Sequence, residues 1–136
     1  LYRDDYVANG VLVATAGKRV VNAPDTLLFT ELRHARGNWW AALEAQHSSR
    51  RAASYTNDLM IPGVTLWHLA GGWKWQGGPW GARQSGVQWQ VRNVFDKDYI
   101  ASIGASGYFP SDPNGTRTYV QAGAPRGAYL TVFAEY

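Results

Sequence analysis

The side chains that most often carry chemistry are few in this sequence and widely spaced. His34, His47 and His68 are the histidines, and none stands within about three to five residues of another, the spacing with which one segment presents a pair of metal ligands. A metal centre would have to be assembled from separate strands, and none is expected. The carboxylate pairs Asp4-Asp5 and Asp96/Asp98 lie beside turn-forming residues, where Asp commonly caps the backbone instead of working as acid and base. There is no Gly-x-Ser-x-Gly elbow, no glycine loop opening a helix to cradle phosphate and no cysteine nucleophile. Neither catalysis nor a cofactor is expected. Asn114-Gly115-Thr116 fits a glycosylation sequon and reads as a Gly-containing loop turn.

Composition narrows the remaining classes. At 136 residues the chain has the length of one domain. Charged residues are 17%, below the ~25% of typical soluble domains, while aromatic residues reach 14% with seven Trp. Thirteen Lys and Arg against ten Asp and Glu give a net charge of +3, and the basic residues are scattered except for Arg50-Arg51, so no nucleic-acid partner is expected. Cysteine is absent, which excludes a disulfide framework. No stretch approaches the run of about 18 apolar residues that a spanning helix needs. The chain opens at Leu1 without an initiator Met, a basic n-region or an apolar h-region, and reads as a segment of something larger.

Any functional side chains must therefore be held by strands. Fifteen Gly and six Pro cut the sequence into short segments, and alternation of period two dominates. It predicts strands at Thr26 to His34, Trp39 to Ser48, Val64 to Trp75, Val87 to Val94 and Ala128 to Tyr136. In the second, Trp39, Ala41, Leu43 and Ala45 oppose Trp40, Ala42, Glu44, Gln46 and Ser48. The third puts Trp67, Trp73 and Trp75 on one face, and the fourth opposes Val87, Trp89 and Val91 to Gln88, Gln90 and Arg92. The connection Arg36-Gly37-Asn38 is tight, whereas Arg50 to Gly63 and Ser102 to Ala124 read as long polar loops, a short-end and long-end alternation that suits an up-and-down membrane barrel. Gln76 to Gly86 is long where a short turn is expected. Trp39, Trp73, Trp75, Tyr99 and Tyr136 fall near strand ends, as interfacial aromatic belts would.

Five landmarks in order then resemble a family. They are Asn22-Ala23-Pro24, Gly37 to Trp40, Ile61-Pro62-Gly63-Val64-Thr65-Leu66, Arg92-Asn93-Val94-Phe95-Asp96-Lys97-Asp98-Tyr99 and Gly123-Ala124-Pro125-Arg126-Gly127. Together with the alternating strand that ends in an aromatic, they resemble the C-terminal strands of TonB-dependent receptors of Gram-negative outer membranes, from about residue 20 to Tyr136, with Leu1 to Tyr6 read as the tail of one further strand. The resemblance implies an all-β fold: antiparallel up-and-down strands forming a fragment, about five to six C-terminal strands, of a 22-stranded transmembrane β-barrel whose plug and earlier strands are absent. It further implies transport of a metal chelate, a ferric siderophore first among them, through the cell outer membrane. The implied partners are outer-membrane lipid, the chelate, the TonB complex through the absent N-terminal region, and the barrel-assembly machinery. Tyr136 and the Gly37-Asn38 turn are expected in the periplasm.

Within that frame Glu31, Arg33, Glu44, Gln46, His68, Gln88, Gln90 and Arg92 are expected to face the lumen, because Arg or Lys on the lipid face at mid-bilayer depth costs ~2 to 4 kcal/mol. Tyr55, Asn57, Asp58, Tyr108, Phe109, Asp112 and Tyr119 are the loop candidates for ligand contact. Leu130, Val132 and Tyr136 are read as an assembly signal on the closing strand. The competing reading is a soluble, aromatic-rich β-sandwich ligand-binding module of carbohydrate-binding type, with Trp39, Trp67, Trp73 and Trp89 in a dry core.

Overall fold

The computed structural model of the chain describes residues 1–8, 10–105 and 118–136. In chain order the strands are β1 (Tyr6–Ala8), β2 (Val11–Val13), β3 (Leu27–Arg36), β4 (Trp39–Ser48), β5 (Arg51–Ala52), β6 (Met60–Ile61), β7 (Val64–Gln76), β8 (Gln84–Arg92), β9 (Ile100–Ala105), β10 (Thr118–Ala122) and β11 (Gly127–Glu135). The protein is all-β and antiparallel. It divides into two compact units, one of residues Leu1–Leu27, His47–Val64 and Asp98–Gly123, the other of Leu28–Gln46, Thr65–Lys97 and Ala124–Tyr136.

The second unit is built on a five-stranded sheet in the order β11-β8-β7-β4-β3, each strand beside its predecessor in the meander. These are the five strands that alternation predicts, with shifted ends. β8 begins at Gln84 and not at Val87, because Gln84, Ser85 and Gly86 pair with Gln76, Trp75 and Lys74 on one side and with Glu135, Ala134 and Phe133 on the other. Ladder hydrogen bonds come from the backbone and do not require an apolar side chain. The expected long connection consequently shrinks to Gly77–Arg83, with a single 3-10 turn at Pro79–Gly81. Between β3 and β4, Gly37 takes φ 58°, the left-handed conformation wanted at the first central position of a two-residue hairpin turn.

The first unit corrects the loop reading. Arg50 to Gly63 contains the hairpin β5–β6, with Arg51 opposite Ile61 and Ala52 opposite Met60. The stretch from Ser102 is not all loop, since β9 and β10 pair from Ile100 to Ala122 with a bulge at Gln121/Ala122. Leu1 to Tyr6 is not a strand tail: β1 begins at Tyr6 and pairs with β2 in its own hairpin. Val13, Ala52, Ala53 and Ile61 form the buried apolar centre of this unit. Arg51 is buried among them and is satisfied by donating from Nε to Asn22 Oδ1 (2.9 Å) and from one terminal nitrogen to the Ile100 and Ala101 carbonyls (2.8 and 3.1 Å). Three stretches distant in sequence are thereby tied by one side chain.

Candidate functional site

Directly opposed residues on neighbouring strands share a sheet face. The register Leu69↔Val91, Gly71↔Trp89, Trp73↔Val87, Ala128↔Val91, Leu130↔Trp89 and Val132↔Val87 collects these side chains on one face, together with Trp67, Trp75 and Ala134 by alternation. That face is apolar but for Thr65 and Ser85 across β7, β8 and β11. It is also open: Trp73 is 50% exposed, Trp89 41%, Leu130 71% and Val132 70%. Trp89 lies flat against Gly71, where a Cβ would meet its ring at 2.6 Å.

The opposite face carries the polar side chains. Gly72↔Gln88, Ala70↔Gln90, Tyr129↔Gln90, Thr131↔Gln88 and Gly127↔Arg92 define it. Trp40 joins it by lying against Gly72, and Arg33 joins it by stacking its guanidinium 4.1 Å from the centre of the Trp40 ring. On the other face His34 meets Trp39, ring centres 5.2 Å apart. By alternation along each strand, Glu31, Arg33, Glu44, Gln46, His68, Gln88, Gln90 and Arg92 all fall on one face.

Some of these residues converge. A concavity of about 240 Å³ on the polar face is lined by Arg33, Trp40, Glu44, Gln88, Gln90 and Tyr129 among others. Trp40 is its fixed floor, clamped between Gly72 and the Arg33 guanidinium, and such cation–π contact contributes about 0.5 to 1 kcal/mol at an exposed site. Arg33 also reaches Glu31 at 4.0 Å, so the guanidinium has two partners. The concavity presents one cation, one carboxylate, two amides and a phenol, a set suited to polar ligands with mixed donors and acceptors. Glu31, Gln46, His68 and Arg92 share the face without lining the concavity. Trp40, Ala42, Ala70, Trp89, Tyr129 and Thr131 are the additions to the expected set, Trp89 reaching the rim although its strand position belongs to the other face.

The loop candidates are arranged differently. Asn57, at φ 60°, accepts the Arg19 N–H (2.5 Å) and donates to the Arg19 and Ser54 carbonyls (3.0 and 3.1 Å), which occupies its amide within the unit. Asp58 accepts hydrogen bonds from the Ser54 and Thr56 hydroxyls, and these bonds hold its carboxyl below the usual range. Both side chains organise their own loop. Tyr55 stacks near Tyr2 with ring centres 6.1 Å apart, and Tyr119 lies exposed over Gly104. Tyr108, Phe109 and Asp112 fall outside the described residues. Tyr99, read as a belt residue, packs its ring on Gly123 and accepts that residue's N–H at its own carbonyl (2.7 Å).

The Asn93 to Tyr99 landmark has a geometric meaning of its own. Asn93, only 3% exposed and at φ 49°, ends β8. Its amide nitrogen donates to the Lys97 and Ala124 carbonyls (2.9 and 3.2 Å), while its Oδ1 accepts the Lys97 N–H (2.9 Å). Asp96, at φ 51°, accepts the Arg126 N–H (2.8 Å) just before β11 begins. The segment clasps the end of β8 to the start of β11, where Leu130 and Val132 sit on the apolar face and Tyr136 follows the last strand residue.

Among the described residues no three His, Cys, Asp or Glu side chains gather closely enough to hold a metal ion, and no helix is long and apolar enough to cross a membrane. Comparison of the chain with protein-family models, curated proteins and solved structures finds no match.

Proposed function

We propose that the chain is a C-terminal wall segment of a 22-stranded TonB-dependent outer-membrane receptor that imports a metal chelate, a ferric siderophore first among the candidates. The observation that carries this reading is the separation of the two sheet faces, one apolar yet exposed, the other holding the charged and amide side chains. A sheet whose greasy face is exposed among the described residues fits a wall with hydrocarbon on one side and an aqueous lumen on the other. The order of short turns and long connections supports the same reading. So does the composition of the first unit, whose three segments lead into β3, join β4 to β7 and join β8 to β11. On this reading Tyr136 and Gly37-Asn38 are periplasmic, and Leu130, Val132 and Tyr136 serve the assembly machinery as the closing-strand signal. A soluble sandwich with Trp39, Trp67, Trp73 and Trp89 in a dry core gains no support from Trp39, Trp73 and Trp89, which are all exposed.

The test uses single cysteines introduced into this segment, which has none of its own, in a receptor whose other cysteines are replaced. In the full receptor embedded in outer membrane, Thr131→Cys should react with a water-soluble maleimide and Leu130→Cys should not. Equal reactivity at the two positions would overturn the membrane-wall reading. Energy-dependent uptake of radiolabelled ferric siderophore by cells carrying the receptor tests the cargo, and its absence with correct insertion would redirect the search to other chelates.

A further inference from the structure

Trp80 combines high exposure among the described residues with an uneasy backbone. It is 88% exposed and adopts φ 55°, ψ 27°, a left-handed conformation that bulky residues rarely take. Glycine would relieve the backbone, and a polar residue would suit the exposure. The turn around it is nevertheless well fixed. The Gly77 N–H donates to the Arg83 carbonyl (2.8 Å), the Ala82 N–H to the Pro79 carbonyl (3.3 Å) and the Arg83 N–H to the Glu135 carbonyl (2.7 Å), which pins the turn to the end of β11. Gly78 abuts the side chain of Ser85, and Ser85 pairs with Trp75 on the apolar face, so the turn leans toward that face. Trp80 thus follows Trp73 and Trp75 at one end of the apolar surface. Arg36 and Arg83 belong to the same end, whereas Lys74 and Glu135 there fall on the opposite, polar face.

We propose that the Gly77–Arg83 turn is a membrane-seating element that places the Trp80 indole in the phospholipid headgroup layer bordering the apolar face. The inference rests on the lipid-facing reading of that face. An indole suits this layer because its ring is apolar while its N–H still finds a polar partner. The flanking cations suit an anionic lipid surface. Pre-organisation of the turn means that little freedom remains to be lost when the ring docks.

Fluorine NMR of the full chain labelled with fluorotryptophan, on vesicles of phosphatidylethanolamine and phosphatidylglycerol, tests the proposal. Single Trp→Phe variants assign the resonances. A spin label on the lipid headgroup should broaden the Trp80 signal away, while a label at mid-chain should broaden Trp89 instead. If mid-chain label reaches Trp89 but Trp80 responds only to a water-soluble relaxation agent, the seating proposal falls and the membrane reading survives. If neither indole senses lipid, both fall. Shielding of Trp80 from all three agents would show a protein partner and overturn the proposal. Trp80→Gly should leave unfolding unchanged or improved, since it relieves the left-handed strain, yet weaken vesicle partitioning about tenfold. Unchanged partitioning of that variant would also overturn it.

Discussion

The Asn93 backbone N–H donates to His68 Nδ1 at 3.0 Å, joining the end of β8 to the middle of β7 across the polar face. The Val94 N–H continues this link to the Trp67 carbonyl at 2.9 Å. The donor at Asn93 is a backbone group, so its direction depends on the left-handed conformation of that residue. Asn93→Ala should lower stability by about 2 to 4 kcal/mol, since it loses a buried amide's hydrogen bonds and strains the backbone. Asn93→Gly keeps the conformation easily and should lose roughly 1 kcal/mol less. Urea unfolding of the two variants beside the parent checks the order.

The clasp at Asp96 should also govern which residues of β11 face β8. With Asp96 unable to receive the Arg126 N–H, β11 is free to slip by two residues, which keeps its apolar side chains on the same face. Oxidation of a Val87→Cys, Val132→Cys pair should crosslink the parent efficiently, since these residues are opposed. Adding Asp96→Ala should lower that yield and raise crosslinking of Val87→Cys with Leu130→Cys or Ala134→Cys. An unchanged crosslinking pattern would show that the register is set within the strands themselves.

Gly71 and Gly72 stand back to back under two indoles. A Cβ on Gly71 would meet the Trp89 ring at 2.6 Å, and one on Gly72 would meet the Trp40 Nε1 at 2.5 Å. Each Gly→Ala change should cost about 1 to 3 kcal/mol by displacing a ring. Gly72→Ala should in addition free the Arg33 guanidinium, which sits on the other side of Trp40. Denaturant titration measures the first effect, and faster motion of the Arg33 Nε by NMR relaxation measures the second.

Asp58 has a depressed carboxyl pKa, caused first by the Ser54 hydroxyl and next by the Thr56 hydroxyl. A group depressed in the folded state contributes stability above its unfolded value, about 4, and loses that contribution as pH falls through the lower folded value. The Arg51–Ile61 hairpin region should therefore become more sensitive to an acid-active protease as pH falls below about 4. Asp58→Asn should remove this local dependence, as limited proteolysis across pH would reveal.

How much of this could be read in the sequence depends on the range of the interaction involved. The long strands were legible because alternation is local: Val87-Gln88-Trp89-Gln90-Val91 declares two faces without knowing its neighbours. Gln84-Ser85-Gly86 declares nothing and becomes strand only through partners on β7 and β11. The short strands β5 and β6 are likewise set by contact across a loop. Arg33 over Trp40 needs the offset between β3 and β4, which no pattern within either strand encodes. Asn57 and Asp58 read as ligand candidates because they are polar and lie in a loop; their bonds to nearby backbone and hydroxyl groups depend on the folded loop and are not legible in a pattern.

The five-stranded meander has a consequence in parity. With an odd number of strands in strict antiparallel order, its two outer strands β3 and β11 run in the same direction. Joining one copy's β3 to another copy's β11 would create a parallel seam, so identical segments arranged head to tail cannot close into an all-antiparallel ring. An intervening run of strands can close it only if that run is itself odd in number. The seventeen further strands that the proposed ring of about 22 would need satisfy this condition.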